Sequence, residues 1–251
     1  MRLLLDIGNT RIKWALQGDA GLTGQQAIVH ADLDAAQLSA RVFAPCGRVS
    51  AVLVANVAGE QIAGRVRQAV RDCWQFDPVF VTASAQASVQ GRIVRNAYLL
   101  PQQLGVDRWL AMLAAYALSP GKKLVVSVGT AMTLDAVDEH GQHLGGLIVP
   151  GPDLMTHSLL RETSDIAERV EQSAVPELPI AAYFANTTRA CVQLGSFRAA
   201  CSLIESVYQH LNPGRTQLVL TGGAAAVLQE RLTVESQFIP DLVLQGLSHC
   251  E

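Results

Sequence analysis

The first residues able to do chemistry stand near the amino terminus, where the chain reads Leu3-Leu4-Leu5-Asp6-Ile7-Gly8-Asn9-Thr10. A glycine turn between two strands lets backbone come close to a ligand. Its N–H groups, with short amide and hydroxyl side chains, can surround a phosphate. Asp6 ends a buried strand, where an unpartnered carboxylate is costly. A hydrated Mg²⁺ bridging to phosphate oxygens would supply the partner. The alternative is a plain hairpin turn in which Asp6 and Asn9 satisfy backbone donors. A second group, Ser127-Val128-Gly129-Thr130-Ala131, has the same form and the same alternative. Two such loops, facing each other from similar domains, can clamp a polyphosphate in an inter-domain cleft.

Three further groups are weaker alone. Thr221-Gly222-Gly223-Ala224 reads as strand, glycine pair, then helix. A flat base can lie there against bare backbone, or a phosphate can meet a helix N-terminus, but a glycine-capped turn fits equally well. No GxxxxGK[ST] loop is present. Gly105-Val106-Asp107-Arg108 precedes an apolar helical run. Asp107 is either that helix's N-cap or a carboxylate that orients an attacking hydroxyl and takes its proton late in a phosphoryl transfer. Arg108 offers a fork for a carboxylate or phosphate, or a surface ion pair. Gly145 to Pro152 is a strand between glycine and Pro-Gly turns. The six histidines, at positions 30, 140, 143, 157, 210 and 249, show no zinc spacing and read as structural or exposed. A GxSxG elbow is absent, which leaves a serine hydrolase unsupported.

The elements that must position these residues alternate between strand and helix. Both halves open with a buried apolar run, a glycine turn and a second strand-like run, and the offset from Asp6 to Ser127 is 121 residues. Ala51–Ala55, Val79–Val81 and Leu218–Thr221 read as short strands. Segments 60–72, 109–117, 189–211 and 224–232 read as helices from their apolar spacing. This predicts an α/β protein with mixed sheets covered by helices. The halves also differ in charge: residues 1–116 carry eleven basic and eight acidic groups, residues 117–251 eight and fourteen. The turn at Ser119-Pro120-Gly121 marks the expected junction, giving domains at 1–118 and 119–251.

Composition narrows the class. The 251 residues are 49% apolar and 16% charged with a net charge of −3, the balance of a soluble globular chain rather than a disordered one. The acidic balance and the lack of a Lys/Arg run argue against nucleic acid as a partner. No stretch predicts a membrane span, and the first apolar run stops at Asp6, too short for a signal peptide. Five cysteines with no paired spacing read as free, mostly buried thiols of a reducing compartment.

Taken in order, the motifs resemble those of the type III pantothenate kinases: DxGNT, here Asp6 to Thr10; GxDR, here Gly105 to Arg108; DxGTAxTxD, here Ser127 to Asp135; and GGxIxPG, here Gly145 to Gly151. The resemblance covers essentially the whole chain. It implies two ribonuclease-H-like domains of the actin/hexokinase/Hsp70 ATPase superfamily, and ATP-dependent phosphorylation of pantothenate, the first step of coenzyme A synthesis, in the cytoplasm. It implies that Asp6, Ile7, Gly8, Asn9, Thr10, Arg11, Ile12 and Lys13 hold ATP phosphates, with Asp6 on Mg²⁺ and Thr130 contacting ATP from the second loop. Asp107 would be the general base within a substrate-binding stretch of Gly105, Val106, Asp107 and Arg108. Tyr98 and Thr188 match two further substrate-binding positions. Family members are homodimers that build the pantothenate pocket across the interface.

One departure stands out. The family's second loop begins with an aspartate that binds a monovalent cation, K⁺ or NH₄⁺, and this chain has Ser127. A neutral hydroxyl ligates K⁺ weakly, which puts potassium activation in question. Lys122 or Lys123 is a candidate to restore the missing positive charge. A regulatory protein on the same fold, such as a transcription accessory factor, is the competing functional class, although both Asp6 and Asp107 are kept.

Overall fold

The computed structural model describes residues 1–162 and 183–250, which include every expected site residue. The chain divides into two compact units. The first holds Met1–Ser119, Gly141–His143 and Asp241–Glu251; the second holds Pro120–His140 and Leu144–Pro240.

The first unit is built on a five-stranded sheet of β1 (Arg2–Ile7), β2 (Arg11–Gly18), β3 (Gly21–Val29), β4 (Ala51–Asn56) and β5 (Val79–Phe80), in the order β3-β2-β1-β4-β5. β1 runs antiparallel to β2 and parallel to β4. Its period of two sorts its side chains. Leu3, Leu5 and Ile7 join a core with Leu38, which ends α1 (Ala35–Leu38), and with Ile62, Val66, Ala69 and Val70 of α2 (Glu60–Trp74). The four α2 residues recur at one-face spacing. Leu4 and Asp6 therefore face the other side of the sheet. On that side, α3 (Val106–Leu118) packs against β4, and the C-terminal helix Leu242–Ser248 packs against β1 and α3. Eleven of the thirteen residues of α3 are buried, which makes it an interior helix rather than a surface amphipath. A Cβ on Gly246 would lie 2.2 Å from the Leu110 carbonyl oxygen, so only glycine lets the C-terminal helix approach α3 this closely. This unit also carries a two-stranded hairpin of β6 (Gln86–Val89) and β7 (Arg92–Arg95).

In the second unit the sheet order is β10-β9-β8-β11-β12, from β8 (Lys122–Val128), β9 (Ala131–Val137), β10 (His143–Pro150), β11 (Thr216–Thr221) and β12 (Gln237–Phe238). β8 runs antiparallel to β9 and parallel to β11. This repeats the pattern of the first sheet. Leu124, Val126 and Val128 pack with Ala200, Cys201, Ile204 and Tyr208, which lie along the long helix Thr188–His210.

Most expected helices are present with shifted ends. Segment 60–72 extends to Trp74, 189–211 spans Thr188–His210, and 224–232 shortens to Ala225–Gln229. The helix expected at 109–117 begins at Val106 with Gly105 as its N-cap. Asp107 is thus inside the first turn and is not the N-cap, which removes that alternative for its carboxylate. All five cysteines are free, with Cys46 and Cys201 buried and Cys191 exposed.

Candidate active site

Asp6 stands opposite Lys13 across the β1–β2 ladder, one residue before the glycine turn. The turn itself is closed by Gly8 N–H donating to the Arg11 carbonyl at 3.0 Å, and it presents Asn9, Thr10 and Arg11 as exposed residues. Burial raises the Asp6 pKa from 3.8 to about 6; Lys13 pulls it down, and the charge of Asp107 pushes it up further. The last effect places the two carboxylates within electrostatic reach of each other, on the α3 side of the first sheet. Its cause is the packing of helix on sheet: alternation along β1 turns Asp6 toward α3, and Asp107 lies in that helix's first turn. Among the described residues Asp6 accepts no hydrogen bond. No cluster of three or more His, Cys, Asp or Glu side chains able to hold a metal occurs among the described residues. A cation at Asp6 would complete its shell with water and phosphate oxygens, the habit of Mg²⁺. The donor set fits that ion.

Asp107 Oδ1 accepts the Arg108 backbone N–H at 2.8 Å. A Cβ on Gly105 would lie 2.7 Å from that same oxygen, so the GxDR glycine is the space in which the carboxylate rests. Arg108 is buried, and its guanidinium donates to the Tyr98 hydroxyl at 3.0 Å. Tyr98 in turn stacks on buried His143, with ring centroids 6.2 Å apart. Asp6, the Gly8–Lys13 segment, Tyr98 and Gly105–Arg108 all belong to the first unit.

Ser127, Thr130 and Thr188 belong to the second unit. There Gly151 N–H donates to the Thr130 carbonyl at 2.8 Å, and a Cβ on Gly151 would lie 2.1 Å from the Gly129 carbonyl oxygen. Ala224 N–H donates to the Val128 carbonyl at 3.2 Å, and a Cβ on Gly222 would lie 2.4 Å from that oxygen. The three glycine motifs of this half, separate in sequence, thus converge on the turn after β8. Ser127 is half-buried, and its hydroxyl makes no hydrogen bond among the described residues. Thr188 is the first residue of its helix, behind the capping hydroxyl of Thr187, which accepts Ala190 N–H at 3.3 Å.

The expectation that Lys122 or Lys123 replaces a cation at Ser127 is not met. Both lie at the far end of β8, and Lys123 is four residue steps along the strand from Ser127, about 13 Å. Lys123 is fully buried and donates to the Gln217 side chain at 2.5 Å and the Pro120 carbonyl at 3.3 Å.

Gly151 ends the GGxIxPG motif, but nothing in that motif names its partner loop, more than twenty residues away. One contributor escaped the sequence. His30, one residue past β3, is buried against the first loop, with Nε2 2.8 Å from the Gly8 carbonyl oxygen. A lone histidine at a strand end gives no local cue to this.

Two five-stranded mixed sheets of the same order, each opening on a strand, glycine turn and strand, give the fold of two ribonuclease-H-like domains. Solved structures agree. A putative Baf family transcriptional activator from Campylobacter jejuni matches with a TM-score of 0.59 and 19% identity, covering 98% of this chain and 95% of that one. A putative 2-dehydro-3-deoxygalactonokinase from Sinorhizobium meliloti matches with a TM-score of 0.59 and 13% identity, over 99% and 97% of the two chains. At these identities the likeness concerns the fold alone.

The chain belongs to the type III pantothenate kinase family, whose sequence profile matches residues 2–210. The type III pantothenate kinase of Nitrosococcus oceani is 35% identical over 99% of this chain and 92% of its own length. That of Azoarcus sp. (strain BH72) is 37% identical over 99% and 89%.

Proposed function

We propose that this protein transfers the γ-phosphoryl group of ATP to the primary hydroxyl of pantothenate, giving 4′-phosphopantothenate, the first step of coenzyme A synthesis in the cytoplasm. Family membership over nearly the full chain carries the proposal. The electrostatic coupling of Asp6 and Asp107 within one unit supports the roles assigned to them.

In this reading the Asp6–Lys13 segment holds the ATP phosphates, and Thr130 contacts the nucleotide. Asp6 would hold Mg²⁺, whose charge would offset the repulsion between the phosphates and the two neighbouring carboxylates. Tyr98, Gly105, Val106, Arg108 and Thr188 bind pantothenate. The Arg108 guanidinium suits the pantothenate carboxylate, and its bond to Tyr98 fixes the direction of the fork. Asp107 orients the hydroxyl and accepts its proton as the new O–P bond forms and the bond to the ADP oxygen breaks. Ser127 offers a monovalent cation only a neutral oxygen, so activation by K⁺ or NH₄⁺ is expected to be weak. Exposed Leu147, Ile148, Tyr183 and Phe184 supply apolar surface for the homodimer that is part of the same proposal. The division near 118/119 is kept as the main boundary between domains, with Gly141–His143 and Asp241–Glu251 grouped in the first.

The experiment is ADP release with and without pantothenate, with the product identified by mass. Pantothenate-dependent ADP formation and a product heavier by one phosphoryl group are expected. Folded protein that turns over no pantothenate with Mg²⁺ and any monovalent cation would instead favour the regulatory function.

A further inference from the structure

The loop between β1 and β2 is held by a residue outside every motif that defines the site. His30 follows β3 and folds back over the loop. Its backbone N–H donates to the Thr10 carbonyl at 3.3 Å, and its ring nitrogen Nε2 lies 2.8 Å from the Gly8 carbonyl oxygen. A carbonyl only accepts, so Nε2 carries the proton and donates it. His30 as a whole is 7% exposed, which shields this bond from competing water.

The consequence follows from peptide geometry. A trans peptide is planar, and its C=O and N–H point in opposite directions. With the Gly8 carbonyl turned toward His30, the N–H of the same peptide unit, that of Asn9, must point away from the ring. Asn9 is exposed, and its N–H has no partner among the described residues. If the 8–9 peptide turned over, a carbonyl oxygen would replace that N–H as the group offered outward. Glycine at position 8 leaves the backbone free to do so. The two orientations have opposite electrostatic sign toward a phosphate: one donates, the other repels.

We propose that His30 is a positioning residue that locks the Gly8–Asn9 peptide with its N–H outward, so that the loop presents a donor rather than an acceptor to the nucleotide's phosphates. The inference rests on the assignment of the Asp6–Lys13 segment to phosphate binding. His30 itself touches neither substrate.

The test uses the full chain and Mg·ADP, read by calorimetry and by the Asn9 amide signal of ¹⁵N-labelled protein. In wild type the Asn9 amide proton should move downfield on adding Mg·ADP. His30→Leu fills the volume without a donor and should weaken Mg·ADP binding and raise the ATP KM about tenfold, as expected for one lost hydrogen bond to the loop. The pantothenate KM should stay within about twofold. His30→Gln returns an N–H donor and should recover most of the affinity, which a purely space-filling role would not. Wild-type affinity in His30→Leu, or an Asn9 signal unmoved in wild type that does bind Mg·ADP, overturns the inference. Wild type that binds no nucleotide overturns the phosphate assignment beneath it. Should His30→Leu fail to fold, the wild-type Asn9 signal and the His30→Gln affinity decide.

Discussion

The two glycine loops occupy the same place in two sheets of the same order, yet they are built by different means. The first joins paired residues Ile7 and Ile12 through four residues; the second joins Val128 and Met132 through three. Before the first stands Asp6, opposite Lys13; before the second stands Ser127, opposite Thr133. A side chain steadies the first, through the His30 ring on the Gly8 carbonyl. Backbone steadies the second, through Gly151 on Thr130 and Ala224 on Val128. One framework has therefore been given a charged loop adjustable by a single side chain and a neutral loop fixed by glycine packing. The first should respond to charge and pH, the second to any added carbon.

The largest effect is expected at the second loop. In Gly151→Ala the new methyl would sit 2.1 Å from the Gly129 carbonyl oxygen, and a backbone atom cannot swing away. Overpacking of this kind costs about 3 kcal/mol, measured as a shift in the urea midpoint without change in slope. A loss below about 0.5 kcal/mol would show that the turn is not clamped there.

At the first loop charge decides. The folded protein favours protonated Asp6, with a pKa raised from 3.8 to about 6. The stabilisation gained from that proton is complete below about pH 3.8 and is lost as pH rises through about 6. Ionised Asp6 is then a burden on the metal-free fold, of at most 2 to 3 kcal/mol by order of magnitude. Asp6→Asn should therefore raise stability at pH 8 without divalent cation, and change it little at pH 4. Thermal unfolding at both pH values checks this. Equal shifts would locate the effect in packing rather than in charge.

A smaller effect is expected at Gly105, where an added Cβ meets the movable Asp107 oxygen at 2.7 Å instead of backbone. The backbone there, with φ of −52°, accepts alanine. Gly105→Ala should keep its stability within about 1 kcal/mol and lose about tenfold in kcat through displacement of the carboxylate. Unchanged kcat would separate the Asp107 position from catalysis. The mildest change is Ser127→Asp, which makes the second loop resemble the first and should strengthen the rate response to K⁺. An identical K⁺ response in both forms would remove the cation argument.

These contrasts also explain how far the sequence could be read. Strands β1 and β8, buried and closed by glycine turns, announced both units, and the interval between Asp6 and Ser127 announced the repeat. β3 did not show itself, because Gly21–Val29 is largely exposed and lacks alternation. The C-terminal helix gave no local sign that Asp241–Glu251 groups with the first unit, since the cause is a distant contact between Gly246 and Leu110. Asp6 and Asp107 were individually visible as candidates. That they sense each other depends on the parity of β1 and on a helix beginning at Val106 rather than 109, and neither follows from motif spacing. The His30 contact with the Gly8 carbonyl is tertiary in the same sense.

The central claim is a division of labour between Asp6 and Asp107, and it is tested by measuring Mg·ADP affinity and phosphopantothenate formation side by side in Asp6→Asn and Asp107→Asn. Asp107→Asn should bind Mg·ADP within about twofold of wild type and form product about a thousandfold more slowly, while Asp6→Asn should lose Mg·ADP binding itself. Wild-type product formation by Asp107→Asn, or wild-type Mg·ADP affinity in Asp6→Asn, would contradict it.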